Sequence, residues 1–171
     1  MKPWDMLIPD LMCDTVRDVP FETFFDKGAR AVVFDIDNTL VSYDTPRADD
    51  GLIAFLCDLS TRVPVALLSN NDEARVSLFN TDFGFVAVSE AGKPGKKALL
   101  AVSERLQVPS EQILFVGDQL LTDVLCARRA GALATVTVRP VKERENLFFR
   151  FKRLLERPFV AVYRRRKRKE K

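Results

Sequence analysis

The sequence predicts an α/β fold: a doubly wound, three-layer parallel sheet with helices on both faces. Three observations predict it. Short β-branched runs alternate with longer amphipathic stretches, and the connections between them are short. Runs such as VPVALL (63–68) are continuously apolar, as strands buried on both faces are, where a sandwich strand would alternate. The chain has 171 residues, 47% of them apolar, which suits one domain with a real core and leaves too little for two.

In chain order, residues 1–30 precede the first strand. Their apolar positions (Trp4, Leu7, Ile8, Leu11, Met12, then Phe21, Phe24, Phe25) read as a helical lead-in of one or two short helices. Strands are expected at 31–35 (AVVFD), 63–68, 85–88, 112–116 (QILFV) and 133–138 (LATVTV). Helices are expected between them, at about 49–61, 71–80, 95–106 and 119–130, the last stopped by Gly131. Residues 144–155 (RENLFFRFKRLL) read as a final basic amphipathic helix that Pro158 ends, with its phenylalanines covering the sheet. The reading is therefore one domain over 1–157 and a basic tail over 158–171, too hydrophilic to pack and expected to be disordered.

The chain contains no histidine. That removes Ser-His-Asp and Cys-His nucleophile pairs, histidine-ligated zinc and the ordinary histidine acid/base. Chemistry must run on carboxylates, lysine, hydroxyls or a borrowed metal ion. Cys13, Cys57 and Cys126 are odd in number, far apart and without CxxC spacing, which suggests neither a disulfide framework nor a zinc site and points to a reducing cytoplasm. No apolar run approaches the roughly 20 residues that cross a bilayer, and the opening residues carry acids and prolines where a signal peptide needs an apolar core. The net charge of +3 is divided: 150–171 holds eleven basic residues against two acids, whereas 1–149 holds 16 basic residues against 22 acids.

Open parallel sheets bind ligands beyond the carboxyl ends of their strands. Past the first predicted strand come Asp35-Ile36-Asp37-Asn38-Thr39, past the second Ser69-Asn70-Asn71, past the third Gly92-Lys93-Pro94, and past the fourth Gly117-Asp118, with Thr122-Asp123 beyond. Four acids, a hydroxyl and a lysine thus converge on one rim. Gathered carboxylates need a cation, and an all-oxygen set with few protein ligands suits hydrated magnesium, Mg2+. A lysine and a serine supply what a phosphate needs, a point charge and a hydrogen-bond donor. With histidine absent, a carboxylate is the natural nucleophile and an aspartyl-phosphate the natural intermediate.

Asp35-Ile-Asp37-Asn-Thr39, Ser69, Lys93-Pro94 and Gly117-Asp118 with Asp123 resemble the four motifs of the haloacid dehalogenase (HAD) superfamily of phosphatases, whose sheet is Rossmann-like. The resemblance implies a role for each residue. Asp35 would be the nucleophile and Asp37 the general acid and base. Magnesium would be held by the Asp35 carboxylate, the Asp37 carbonyl and Asp118, with Asp123 and Thr39 in support. Ser69, Asn70 and Lys93 would bind the phosphoryl oxygens. Only 31 residues separate Asp37 from Ser69 and 23 separate Ser69 from Lys93, which leaves no room for the cap domain that covers many sites in this superfamily. Within the capless enzymes the chain is similar, over about residues 7–140, to the subclass IIIA group that includes phosphatidylglycerophosphate phosphatases.

That resemblance implies a cytoplasmic enzyme of phospholipid biosynthesis acting on a lipid headgroup, with Arg164–Lys171 touching the anionic inner face of a membrane. A capless phosphatase of nucleic-acid ends, nucleotides or sugars, and an RNA- or ribosome-binding module using the basic tail, stand as alternatives. A receiver-like phosphoacceptor switch fits poorly, because the only acid after the third strand is Glu90. The sequence leaves the oligomeric state open.

Overall fold

The computed structural model describes residues 3–142 and 147–169. Its centre is a six-stranded, all-parallel sheet: β1 (Leu11–Cys13), β2 (Ala31–Phe34), β3 (Val65–Leu68), β4 (Val86–Val88), β5 (Ile113–Gly117) and β6 (Ala134–Val138), in the order β1-β6-β5-β2-β3-β4. Parallel neighbours need crossovers, and the helices α1 (Phe21–Asp26), α2 (Asp50–Ser60), α3 (Glu73–Asn80), α4 (Lys97–Leu106) and α5 (Leu125–Ala130) occupy the connections. Their ends follow local chemistry. Asp49 accepts from the Leu52 amide at the start of α2 and Asp72 from the Arg75 amide at the start of α3, while Gly131, at φ 78°, ends α5.

Successive strand residues point to opposite faces, so each strand feeds two cores. Val32, Phe34, Leu67 and Leu114 pack with Leu52, Leu56 and Leu59 of α2 and with Val76 and Phe79 of α3. Ala31, Val33, Leu68, Ile113 and Phe115 pack with Leu99 and Val102 of α4 and with Cys126 and Ala127 of α5. Every residue of β2, β3, β5 and β6 is buried, which explains the unbroken apolar runs.

Two expectations need correction. The lead-in is not wholly helical: Leu11–Cys13 joins the sheet as its edge strand, in register with Val136–Val138 of β6. Three residues are too few to show a period of two, and the Asp10 carboxylate helps seat the strand by accepting from the Thr135 amide and hydroxyl. The final helix, α6, does not end at Pro158; it runs from Leu147 to Lys169. Proline removes one helical donor and crowds the preceding turn. Here Pro158 and Leu154, whose carbonyl loses that partner, are both exposed, and the helix is tied down on either side. Before the proline, buried Glu156 accepts from the amides of Leu120 and Leu121 at 2.7 and 3.2 Å. After it, buried Tyr163 accepts from the Met12 amide at 3.0 Å and Arg166 pairs with Asp5 at 2.6 Å. Residues 158–169, expected to be disordered, are therefore helical. Phe151, expected to cover the sheet, is exposed. The side chains of Phe148 and Phe149, and residues 143–146, 170 and 171, lie outside the described part. No described helix is long and apolar enough to cross a membrane.

Candidate active site

Asp35 extends β2 past its last named residue, its amide donating to the Val116 carbonyl at 2.9 Å, so the carboxylate emerges at the sheet's carboxyl edge. The chain then turns tightly. The amides of Thr39, Leu40 and Val41 converge on the Ile36 carbonyl, and Asn38 takes φ 65°, a conformation asparagine tolerates better than most residues. The turn brings the Thr39 hydroxyl back to donate to Asp35 at 3.0 Å. Asp35 is thereby nine-tenths buried with its carboxylate fixed.

Lys93 arrives from the loop after β4, preceding a cis proline. Its ammonium spends three donors on three acceptors: Asp35 at 2.6 Å, Asp123 at 2.7 Å and the Leu68 carbonyl at 3.0 Å. Asn70 holds this loop in place, accepting from the Lys93 amide at 2.8 Å and donating to its carbonyl at 3.1 Å. The sequence assigned Asn70 to the phosphate; the residue lines the cavity, with one side-chain N–H bonded to the Lys93 carbonyl. Ser69 is buried at the end of β3, and its hydroxyl accepts from the Asn71 amide at 3.0 Å. The hydroxyl proton is left to be donated elsewhere.

Asp118 follows β5, and the chain then enters a π-helical turn, Leu120–Val124, before α5. A single helix was expected over 119–130. The wider turn carries Asp123 back toward β5, where its carboxylate accepts from the Gln119 amide at 3.0 Å. Gly117 makes the approach possible, because a Cβ there would stand 2.6 Å from Asp123. One carboxylate oxygen from each of Asp35, Asp118 and Asp123 consequently lies within 4.8 Å of the others. Asp123, assigned a supporting role, sits in the cluster as closely as the two acids assigned to the metal.

Electrostatics set the character of the cluster. Burial, opposed by Lys93 and reinforced by the charges of Asp123 and Asp37, pushes Asp35 up to about 6. Burial and the charges of Asp123 and Asp35 push Asp118 up to about 8, with Arg153 and Lys93 only partly offsetting them. Burial alone would lower the Lys93 amine, but the Asp123 and Asp35 carboxylates outweigh it and hold the ammonium form. Lys93 and Arg153 together leave the three buried acids with an excess of negative charge. A small, oxygen-seeking divalent cation suits the donor set and offsets that excess.

Asp37 points elsewhere in the same cavity. Its carboxylate is gripped by Arg75 at 3.0 and 3.2 Å and by the Asn71 side chain at 3.2 Å. Arg75 also donates to the carbonyls of Thr45 and Pro46, pinning the segment that follows Asp37. The cavity, about 240 Å³, is lined by Asp35, Asp37, Ser69, Lys93, Asp123 and, from α6, Lys152.

Sequence reasoning missed Arg75, Lys152, Arg153 and Glu156. Arg153 donates to the Asp118 carboxylate at 2.6 Å and carbonyl at 2.8 Å, and pairs with Glu156 at 3.2 Å. Arg75 could have been suspected from its place in the first turn after Ser69-Asn70-Asn71. The other three stand on a helix whose position no local pattern reveals.

Sheet, helices and acid cluster together define a chain of the haloacid dehalogenase superfamily of phosphatases, and the comparisons agree. Residues 90–147 match the HAD-hydrolase-like family model. The chain is 32% identical to Probable phosphatase YqeG of Bacillus subtilis over 160 residues, covering 93% of this chain and 92% of the relative. That extent of likeness shows the family: the chain belongs to the HAD superfamily and is a phosphatase. It is 25% identical to the Arabidopsis thaliana Phosphatidylglycerophosphate phosphatase 1, chloroplastic/mitochondrial, over 86% of this chain and 45% of that one. Among solved structures, the HAD family enzyme BT-2542 of Bacteroides thetaiotaomicron, an Asp12Ala mutant in complex with magnesium and inorganic phosphate, matches at a TM-score of 0.54 and 14% identity. That match covers 71% of this chain and all of the other, and supports the fold.

Proposed function

We propose that the chain is a magnesium-dependent phosphomonoesterase that works through an aspartyl-phosphate on Asp35. The observation that carries this reading is the Asp35 carboxylate, held at the end of a central strand by Thr39 and Lys93 within a three-carboxylate cluster. In the first step an Asp35 oxygen bonds to phosphorus as the bond to the leaving oxygen breaks, and Asp37 gives that oxygen a proton. In the second, water bonds to phosphorus as the Asp35 linkage breaks, Asp37 takes the water's proton, and inorganic phosphate departs. The free Ser69 proton and the Lys93 ammonium, which exchanges one of its three acceptors for the substrate, meet the phosphoryl oxygens, where charge develops. Asp35, Asp118 and the Asp37 carbonyl would hold the magnesium ion, with Asp123 beside it; the ion supplies charge neutralisation for the phosphoryl group.

The substrate we favour is a phospholipid phosphomonoester, phosphatidylglycerophosphate, converted to phosphatidylglycerol in phospholipid biosynthesis. The missing cap, the named activity of the Arabidopsis relative and the basic residues Arg164–Lys171 support it, and they imply peripheral contact with the inner face of a membrane. The test is phosphate release from phosphatidylglycerophosphate in mixed micelles beside nucleotide, sugar and nucleic-acid-end phosphates, with magnesium and with EDTA. Magnesium-dependent turnover led by the lipid is expected. Turnover confined to another member of the panel discards the lipid. Asp35→Asn is expected to abolish release while circular dichroism remains that of the wild type; a variant of near-normal activity refutes the Asp35 mechanism.

A further inference from the structure

Helix α6 has two unlike sides. Toward the body it turns Arg153, Glu156 and Tyr163, each with a partner there. Away from it, Phe151, Leu154, Leu155 and Val162 are 57%, 54%, 45% and 41% exposed. With exposed Pro158 they fall at i, i+3, i+4, i+7 and i+11, which at 3.6 residues per turn is one continuous stripe. Isolated exposed apolar side chains are ordinary, but four large ones aligned on one helix are not.

The charges around the stripe define its occupant. Arg157, Arg164, Arg165, Lys167, Arg168 and Lys169 are all exposed. The one acid among the described residues of α6, Glu156, is buried against the body. An occupant must therefore be anionic and must also accept aliphatic side chains. A second copy of the helix would set cation against cation. A nucleic acid would satisfy the arginines and leave Leu154, Leu155 and Val162 in water. An anionic bilayer satisfies both, with headgroups meeting the arginines and the acyl boundary receiving the stripe.

We infer that the outward face of α6 docks the protein on an anionic lipid bilayer, inserting Phe151, Leu154, Leu155 and Val162. This rests on the peripheral-contact reading above and not on the identity of the substrate, and it moves the main contact from the far basic residues to the apolar stripe. The geometry also sets an orientation. Lys152, in the cavity wall, and Arg153, on Asp118, adjoin the first inserted residue. A docked helix therefore lies between the lipid and the cavity wall it helps to form, which sets the cavity one helix diameter, ~10 Å, from the lipid surface.

The test is flotation of the full chain with vesicles of phosphatidylcholine alone and of phosphatidylcholine mixed with phosphatidylglycerol. The wild type is expected to float with the mixed vesicles only. Phe151→Ser/Leu154→Ser/Leu155→Ser is expected to lower partitioning roughly tenfold or more while hydrolysing a soluble aryl phosphate at the wild-type rate. A wild type that does not float, or a triple variant that floats as well as it does, overturns the inference. So does RNA binding that outcompetes the vesicles and survives the triple substitution. As a check that needs no loss of binding, Leu155→Trp in a Trp4→Phe background should shift its emission to the blue on mixed vesicles; an unmoved spectrum overturns the inference. Asp35→Asn should float normally, so failure of docking and failure of the catalytic reading are told apart.

Discussion

The acid cluster makes the metal-free protein lose stability as pH rises, and Asp118 illustrates how. In an unfolded chain its carboxyl titrates near 3.8; in the fold, burial and the neighbouring acids raise it to about 8. A folded value above the unfolded one means the fold holds a proton that the open chain releases. The associated stability is fully present below about pH 4 and lost as pH rises through about 8. Four units at about 1.36 kcal/mol each bound the effect at roughly 5 kcal/mol, and Asp35, raised to about 6, acts in the same direction as part of the same coupled cluster. That is a large fraction of the ~5–15 kcal/mol that holds an ordinary domain together. Urea unfolding monitored by circular dichroism between pH 5 and 8 in EDTA is expected to show a falling midpoint. Magnesium should restore it at pH 8, since an ion bound only by the fold adds to stability. Asp118→Asn, with no carboxylate to ionise, is expected to be more stable than the wild type at pH 8 in EDTA and to respond less to magnesium. A wild-type midpoint flat with pH, or a variant following the same slope, refutes the reasoning.

Three substitutions probe the supports of the site. Gly117→Ala places a methyl 2.6 Å from Asp123, so the π-helical turn must shift, and a loss of about 1–3 kcal/mol together with most of the activity is expected from urea melts and phosphate release. Glu156→Ala strips two backbone amides of their acceptor and Arg153 of a partner, and should cost about 2–4 kcal/mol in thermal or urea unfolding; an unchanged midpoint would refute the capping role. Asn70→Ala frees the Lys93 loop from its two backbone bonds, and the expected outcome is a lower kcat with Asp35 unaltered; kinetics at wild-type level would refute the brace.

The central strands were legible because burial on both faces writes itself as continuous apolar sequence, as in VPVALL and QILFV. The rim residues were legible because a parallel sheet delivers every strand end to the same edge. Asp35, Ser69, Lys93, Asp118 and Asp123 therefore meet as the sequence suggested. What the sequence could not convey was direction. Asn70 braces the Lys93 loop, and Asp37 meets an arginine 38 residues away. β1 is too short to show a period, and it is fixed by pairing with a strand more than 120 residues later. At Pro158 a local rule was outweighed by contacts distant in sequence: Tyr163 with Met12, and Glu156 with the turn after Asp118. The consequence was larger than a misplaced boundary, because the turns beyond the proline anchor, through Tyr163 and Arg166, the helix whose earlier part holds Arg153 at the acid cluster.

The link between Arg153 and Asp118 gives the site an order of assembly. A chain made from its amino end has every strand of the sheet before residue 153 is added, so the nascent protein can gather Asp35, Lys93, Asp118 and Asp123 first. During that interval Asp118 lacks the guanidinium and the turn after it lacks the Glu156 cap. The candidate pocket is therefore finished by a helix from outside the sheet. A peptide tag, fusion or proteolytic cut placed between β6 and α6 amounts to an active-site alteration, though it touches none of the four motifs.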